Sequence, residues 1–105
     1  MADDHRIVAP GGTIGIVGGG QLGRMTALAA ANLGYRCHIF CPETDSPASQ
    51  VAAETTVAPY EDGEALDRFA AAVDVITYEF ENLPTRSFAR MGAIVPVRPH
   101  WRCLE

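Results

Sequence analysis

Two groups of residues in this sequence have the types and spacing for ligand chemistry. The first is the glycine run in "TIGIVGGGQLGRM", where Gly18, Gly20 and Gly23 satisfy the pattern G-x-G-x-x-G. Glycines let backbone amides approach an anion closely, and a helix that begins there adds unpaired N–H groups and partial positive charge. The run therefore predicts a phosphate site. The alternative is that the glycines only permit close packing of a strand against a helix.

The second group is a pair of acids in "DVITYEFENLP". Glu79 and Glu81 are two residues apart, so they share one face of a regular strand. Two like charges at this spacing repel each other unless a ligand binds them or the strand ends there, and Pro84 follows closely. The functional interpretation is an acceptor for ribose hydroxyls or an amine of the ligand. A solvated strand end is the alternative, and composition does not separate the two.

A nicotinamide dinucleotide requires a further acid at the end of the second strand, where it reaches the ribose hydroxyls. The sequence has Cys41 and Pro42 at those positions, and Glu43 comes late, although it can still bend back. This argues against a dinucleotide without excluding it. Arg24, near the start of the predicted helix, is explained equally well by an anionic ligand or by plain exposure to solvent.

Strands must alternate with helices to place both groups at one edge of a sheet. Leu22, Met25, Ala29 and Leu33 recur at helical spacing, and Gly34 is expected to end that helix. The alternation predicts an α/β fold with a parallel sheet and right-handed crossovers. Residues 1–12 are expected to be a flexible arm and 13–105 a single domain. Strands are predicted at 13–17, 35–41, 55–58, 74–80 and 93–97, and helices at 22–33, 48–53, 63–73 and 84–91.

Composition removes several classes of function. The 105 residues carry a net charge of -5, which argues against a nucleic-acid surface. All eight basic residues are arginine, which excludes a Walker-type phosphate loop and a Schiff-base lysine. Cys37, Cys41 and Cys103 are odd in number and lack zinc-like spacing, so free thiols and no metal site are expected. We find no signal peptide or membrane-spanning run, so a cytoplasmic protein without membrane contact is expected.

The runs "IGIVGGGQLGRM", "SPASQVA" and "DVITYEFENLP", in this order, resemble one family. The sequence from about Thr13 to Glu105 is similar to the amino-terminal domain of the 5-(carboxyamino)imidazole ribonucleotide synthases, which are ATP-grasp enzymes of purine biosynthesis. The resemblance implies a Rossmann-like open parallel sheet with helices on both faces. It also implies that the chain is a fragment of a longer protein whose ATP-grasp domain is absent.

The resemblance implies a ligase that uses ATP and bicarbonate to carboxylate 5-aminoimidazole ribonucleotide. ATP and Mg²⁺ would be held by the missing ATP-grasp domain, so this chain would contain no catalytic residue and would be inactive alone. The full-length protein would be a homodimer. The amino-terminal domain of the family binds the ribonucleotide, which implies the substrate-binding residues Gly19, Gly20, Gln21, Leu22 and Glu79, with Glu81 as a second candidate.

Two other functions stay open on the sequence. The glycine pattern alone is typical of an NAD(P)-binding Rossmann domain of an oxidoreductase, in which Glu43 would have to bind the dinucleotide. A small ligand-sensing module, complete at this length, is the non-enzymatic alternative. The related formate-dependent glycinamide ribonucleotide transformylases resemble the glycine run but have glutamate at the position of Gln21, so Gln21 favours the carboxylating synthase.

Overall fold

Four strands and three helices alternate along the chain. The computed structural model describes residues 11–78 and 85–98. The elements are β1 (Thr13–Val17), α1 (Gln21–Asn32), β2 (Arg36–Cys41), β3 (Glu54–Val57), α2 (Gly63–Ala71), β4 (Val75–Tyr78) and α3 (Thr85–Gly92). The strands form a parallel sheet in the order β3-β2-β1-β4, so β1 lies between β2 and β4. The predicted α/β open parallel sheet is confirmed.

Helices cover both faces of this sheet. Side chains alternate along each strand, so Ile16 and Ile39 pack in a cluster with Ala27 of α1. On the opposite face, Phe40 and Phe69 belong to a larger cluster formed with α2 and α3. The two-sided burial explains why the strands are short apolar runs rather than alternating ones.

The predicted fifth strand at 93–97 is reduced to a bridge. Val97 pairs in parallel with Ile76 of β4. The Ile76 N–H donates to the Pro96 carbonyl at 2.9 Å, and the Arg98 N–H donates to the Ile76 carbonyl at 2.7 Å. Pro96 has no N–H to donate, so the pairing does not extend into a full ladder.

The helix predicted at 48–53 is wrong. Residues 47–51 form successive turns instead. The Gln50 N–H donates to the Ser46 carbonyl at 3.3 Å, but the Ser49 hydroxyl donates to the same carbonyl at 2.7 Å. A serine side chain that bonds a nearby backbone group competes with the helical pattern, and here the chain leaves it after one turn.

Helix α1 presents a different face to the sheet from the one its large apolar residues suggest. Gly23, Ala27 and Ala30 are its buried residues, whereas Leu22, Met25, Leu28 and Leu33 are exposed, as is Ala29. The small residues allow the helix to lie close to β1 and β2, and larger side chains would hold it away. Gly34 follows the helix with a φ of 91°, which confirms it as the end of α1.

His38 is a buried histidine on β2. The residue is 7% exposed, its Nε2 lies 2.7 Å from Thr56 Oγ1, and its ring meets Phe69 edge-on. Nδ1 is buried without a hydrogen-bond partner in the described structure. Burial lowers the pKa of His38 below its ordinary value of 6.5, and the Glu54 carboxylate, 4.0 Å from Nδ1, offsets part of this effect.

We expect the fold to lose stability as the pH falls through the range in which His38 would be charged in the unfolded chain. Because the folded pKa is lowered, the unfolded chain takes up the proton first, and stability falls below about pH 6.5. Urea unfolding at about pH 7.5 and about pH 5.5 should show a larger loss for the parent than for His38→Gln. Equal losses in both proteins would assign the pH effect to other groups.

Candidate functional site

A cleft of about 460 Å³ opens at the carboxyl ends of β1 and β2. Ligands of open parallel sheets bind at this edge, because the loops that follow the strands converge there. The glycine run that follows β1 and the chain that follows β2 form its walls. The lining residues are Gly19, Gly20, Glu43, Thr44, Asp45, Ser46, Pro47 and Tyr60.

The glycine run has a geometry that other residues would disturb. Gly18 has a φ of 118°, and its N–H donates to the Phe40 carbonyl at 2.9 Å. A Cβ on Gly19 would lie 2.6 Å from Ser46 Oγ and 2.9 Å from Cys41 Sγ, both closer than real Cβ contacts. The close approach of the loop to β2 and the chain after it therefore requires glycine at position 19.

The start of α1 opens beside this cleft without a side-chain cap. Gly20 occupies the capping position, and the first turn of α1 has no acidic residue. Helix α2 begins differently, since Asp62 Oδ1 accepts a hydrogen bond from the Ala65 N–H at 3.1 Å. The positive end of the α1 dipole would favour an anionic group beside the cleft. The glycine run is suited to bind phosphate.

The structure brings together only some of the residues predicted for the site. Gly19 and Gly20 line the cleft. Gln21 and Leu22 follow as the first residues of α1, and both are exposed, but neither lines the cleft. Leu22, a residue that is 60% exposed, is accessible to a ligand that extends over the start of the helix.

Glu79 and Glu81 lie outside the described residues. The described part of β4 ends at Tyr78, which pairs with Val17, the last residue of β1 before the glycine run. The Tyr78 ring packs against Phe88, with ring centroids 4.8 Å apart, and joins the larger core cluster. Tyr78 is therefore part of the packing of the core rather than a free platform for a ligand.

Glu43 and Tyr60 also line the cleft, and neither was predicted to bind the ribonucleotide. Glu43 follows the buried end of β2, and its carbonyl accepts a hydrogen bond from Cys41 Sγ at 3.3 Å. Its late position in the sequence therefore does not remove it from the site, and the argument against a dinucleotide from that position is weakened. Tyr60 follows β3 in a turn, and no sequence motif marks it.

Residues 46–50, called here the 46–50 segment, form the floor beneath the glycine run. The Ala48 N–H donates to the Gly19 carbonyl at 3.0 Å, and Ala48 is fully buried. Arg24 reaches across from α1, and its Nη1 donates to Gln50 Oε1 at 2.9 Å and to the Pro47 carbonyl at 3.3 Å. Arg24 therefore has protein partners, which neither of the two sequence interpretations anticipated.

The described residues contain no cluster of three or more histidine, cysteine or acidic side chains that would hold a metal ion. Cys37 and Cys41 are buried free thiols, and burial raises the pKa of Cys37. Cys103 lies outside the described part of the chain. Among the helices of the described ranges, none is long and apolar enough to cross a membrane.

With the sheet order, the glycine run and the cleft established, the sequence can be compared with known families. Residues 12–105 match the family described as the ribonucleotide synthetase preATP-grasp domain. The chain belongs to this family. The three motifs that suggested a synthase of this kind lie within the matched residues, so the resemblance drawn from them is confirmed.

Individual relatives of this preATP-grasp domain carry consistent names. The N5-carboxyaminoimidazole ribonucleotide synthase of Brucella melitensis biotype 1 is 50% identical over 102 residues, which are 97% of this chain and 28% of the relative. A solved ADP complex of purK, named N5-carboxyaminoimidazole ribonucleotide synthetase, has a TM-score of 0.91 at 44% identity, over 95% of this chain and 26% of that one.

A second solved structure contains two ligands. It is the N5-carboxyaminoimidazole synthase of Aspergillus clavatus in complex with ADP and 5-aminoimidazole ribonucleotide. Its TM-score is 0.81 at 29% identity, over 90% of this chain and 26% of that chain. The preATP-grasp domain described here thus spans about a quarter of the length of these relatives.

Proposed function

We propose that this chain is the amino-terminal, ribonucleotide-binding domain of an ATP-dependent ligase that carboxylates 5-aminoimidazole ribonucleotide with bicarbonate. The observation that carries the proposal is the glycine run at the start of α1, where Gly19 and Gly20 line the cleft. The Aspergillus relative binds the same ribonucleotide, and the Brucella relative is named for this reaction. Residues 13–105 would form this domain, with residues 1–12 as an arm.

Each residue of the proposed site has a role that follows from its hydrogen-bonding or apolar groups. The amides of the glycine run and of Gln21 at the start of α1 would bind the single phosphate of the ribonucleotide. Leu22 would contact its sugar or base across the exposed first turn. Glu79, which follows Tyr78 directly in the chain, would accept hydrogen bonds from the ribose hydroxyls or the amine, with Glu81 as a second acceptor.

The chemistry would take place in the remaining part of the full-length protein. ATP phosphorylates bicarbonate to carboxyphosphate, with release of ADP. The exocyclic amine of the ribonucleotide attacks the carbonyl carbon of carboxyphosphate and forms a C–N bond. Phosphate leaves with the C–O electron pair, and the nitrogen loses a proton.

ADP- and ATP-bound relatives support the use of ATP by the full-length protein. An ATP-grasp domain would hold ATP and Mg²⁺, and this domain alone would be inactive. We propose a cytoplasmic homodimer.

We expect Glu79→Ala in the full-length ligase to raise the KM for 5-aminoimidazole ribonucleotide far more than the KM for ATP. Loss of a charged hydrogen-bond acceptor costs about 1.5–3 kcal/mol, or roughly ten- to a hundredfold. Steady-state kinetics with each substrate varied in turn would measure both constants. Glu64→Ala, which removes an exposed acid on α2, is the matched control. Equal changes in the two constants would contradict the role given to Glu79.

The proposed function as a whole has a direct test. The native full-length product should release ADP from ATP only when both the ribonucleotide and bicarbonate are present. Release that does not depend on the ribonucleotide would contradict the proposal. Tight binding of NADH in place of such release would support the oxidoreductase alternative, in which Glu43 at the cleft would bind the dinucleotide.

A further inference from the structure

We propose that Arg24 and Gln50 are a pair of positioning residues that hold the 46–50 segment against the glycine run. The proposal rests on the proposed function, because the segment and the run together form the cleft assigned to the ribonucleotide. Arg24 Nη1 donates to Gln50 Oε1 at 2.9 Å and to the Pro47 carbonyl at 3.3 Å. The residues so joined are 23 and 26 positions apart in the chain.

The 46–50 segment belongs to no helix or strand, and the burial of Ala48 in the core cluster with Ile16 and Ile39 anchors its middle. Its turns are closed by local bonds, such as that from the Ser49 hydroxyl to the Ser46 carbonyl. Local bonds shape the segment but do not tie it to the rest of the fold. The Ala48 N–H to the Gly19 carbonyl is one attachment across to the glycine run, and the contact of Ser46 Oγ with Cys41 Sγ at 3.4 Å is another, to the end of β2. The Arg24 pair is a third, made from the first turns of α1 to Pro47 and Gln50.

The position of the segment determines the shape of the cleft. Ser46 and Pro47 line the cleft, and Ser46 Oγ would lie only 2.6 Å from a Cβ on Gly19. A small displacement of the 46–50 segment would therefore remove the packing beneath the glycine run and allow the backbone amides of the run to change direction. A ligand held by several fixed donors loses affinity when those donors are allowed to move, since binding must then order them again.

An arginine beside a proposed phosphate site has a competing explanation. Arginine has five N–H donors, and the bonds to Pro47 and Gln50 use one nitrogen, so Arg24 is able to bind a phosphate with the others. Gln50 distinguishes the two roles. If Arg24 acts by holding the segment, deleting its acceptor at Gln50 changes the same quantities in the same direction as deleting Arg24, although the bond to the Pro47 carbonyl remains. If Arg24 binds the phosphate, Gln50 is dispensable.

The test compares Arg24→Met and Gln50→Met in the native full-length product. Hydrogen exchange of a peptide covering 44–51, measured without ligand, reports how firmly the segment is held. Steady-state kinetics report the KM for 5-aminoimidazole ribonucleotide, the KM for ATP and kcat. Arg68→Met, at an exposed arginine of α2, is the control for loss of positive charge, and Gln50→Glu retains an acceptor oxygen for Arg24.

We expect both methionine variants to exchange the 44–51 amides faster. Gln50→Met should raise the KM for the ribonucleotide about tenfold, the effect of losing one charge-assisted hydrogen bond, and Arg24→Met at least as much, because it also removes the bond to Pro47. The KM for ATP, kcat and the hydrogen exchange of the β2 core should change much less. A general structural defect would change these three quantities as well, so they separate it from a positioning role. Arg68→Met and Gln50→Glu should behave like the parent.

Two results would overturn the proposal. Unchanged exchange in both methionine variants would show that the pair does not hold the segment. A raised KM in Arg24→Met with a normal KM in Gln50→Met would assign Arg24 to the ligand directly. If exchange rises in both variants but the parent shows no turnover that depends on the ribonucleotide, the positioning role stands and the proposed function fails.

Discussion

Gly19→Ala is expected to raise the KM for 5-aminoimidazole ribonucleotide by about ten- to a hundredfold in the full-length ligase. The new Cβ would lie 2.6 Å from Ser46 Oγ and 2.9 Å from both Cys41 Sγ and Ser46 Cβ. Cys41 and Ser46 are buried, so neither moves away easily. The glycine run must therefore shift, and its displaced amides would no longer meet the phosphate that is proposed to bind there.

The same substitution should destabilise the fold. Overpacking of a well-packed site costs about 1–3 kcal/mol, and each kcal/mol lowers the unfolding midpoint of a domain of this size by about 4–8 °C. Thermal unfolding and steady-state kinetics measure the two effects. Ser46→Gly removes two of the three clashing atoms, so the double variant should recover part of both losses. A Gly19→Ala protein with parental midpoint and KM would contradict the packing described here.

Phe69→Ala should cause the largest loss of stability among the substitutions considered, about 3–5 kcal/mol. Phe69 is fully buried on α2, and its ring meets both Phe40 and His38 of β2 edge-on. Its removal leaves a cavity between α2 and the sheet that the rigid strands cannot fill. Urea unfolding measures the change, and Arg68→Ala at the adjacent exposed position is the control.

The environment of Phe69 supplies a sharper test. A Cβ on Gly15 would lie 2.8 Å from Phe69 Cζ, so Gly15→Ala alone should also destabilise the fold. In Phe69→Ala the ring is absent, and the added methyl group fills part of the cavity. The double variant should therefore lose less stability than the sum of the two single variants. Simple additivity would show that Gly15 and Phe69 do not pack as described.

Much of the fold was predictable because it depends on local pattern. The run of β-branched residues before Gly18 predicts β1, and the recurrence at helical spacing followed by Gly34 predicts α1. The alternation of such segments leaves few topologies, since parallel strands require crossovers of one hand. The helix predicted at 48–53 failed because Ser49 bonds the Ser46 carbonyl, a competition that propensity and pattern do not register.

The exposed face of α1 shows where local pattern misleads. Leu22, Met25 and Leu33 are the large apolar residues of this segment, yet the close packing of strand and helix admits only small ones such as Gly23 and Ala27. Which face is buried depends on the distance between α1 and the sheet. That distance is a property of the assembled layers, not of the helix sequence.

By itself the sequence determined the family and the parallel sheet and predicted a phosphate site at the glycine run, because each depends on residues close together in the chain. Only the tertiary structure decided that Glu43 and Tyr60 line the cleft and that Arg24 is bonded to Pro47 and Gln50. These contacts join loops that follow different strands and a helix that starts between them. Their proximity arises when parallel strands align their carboxyl ends at one edge of the sheet.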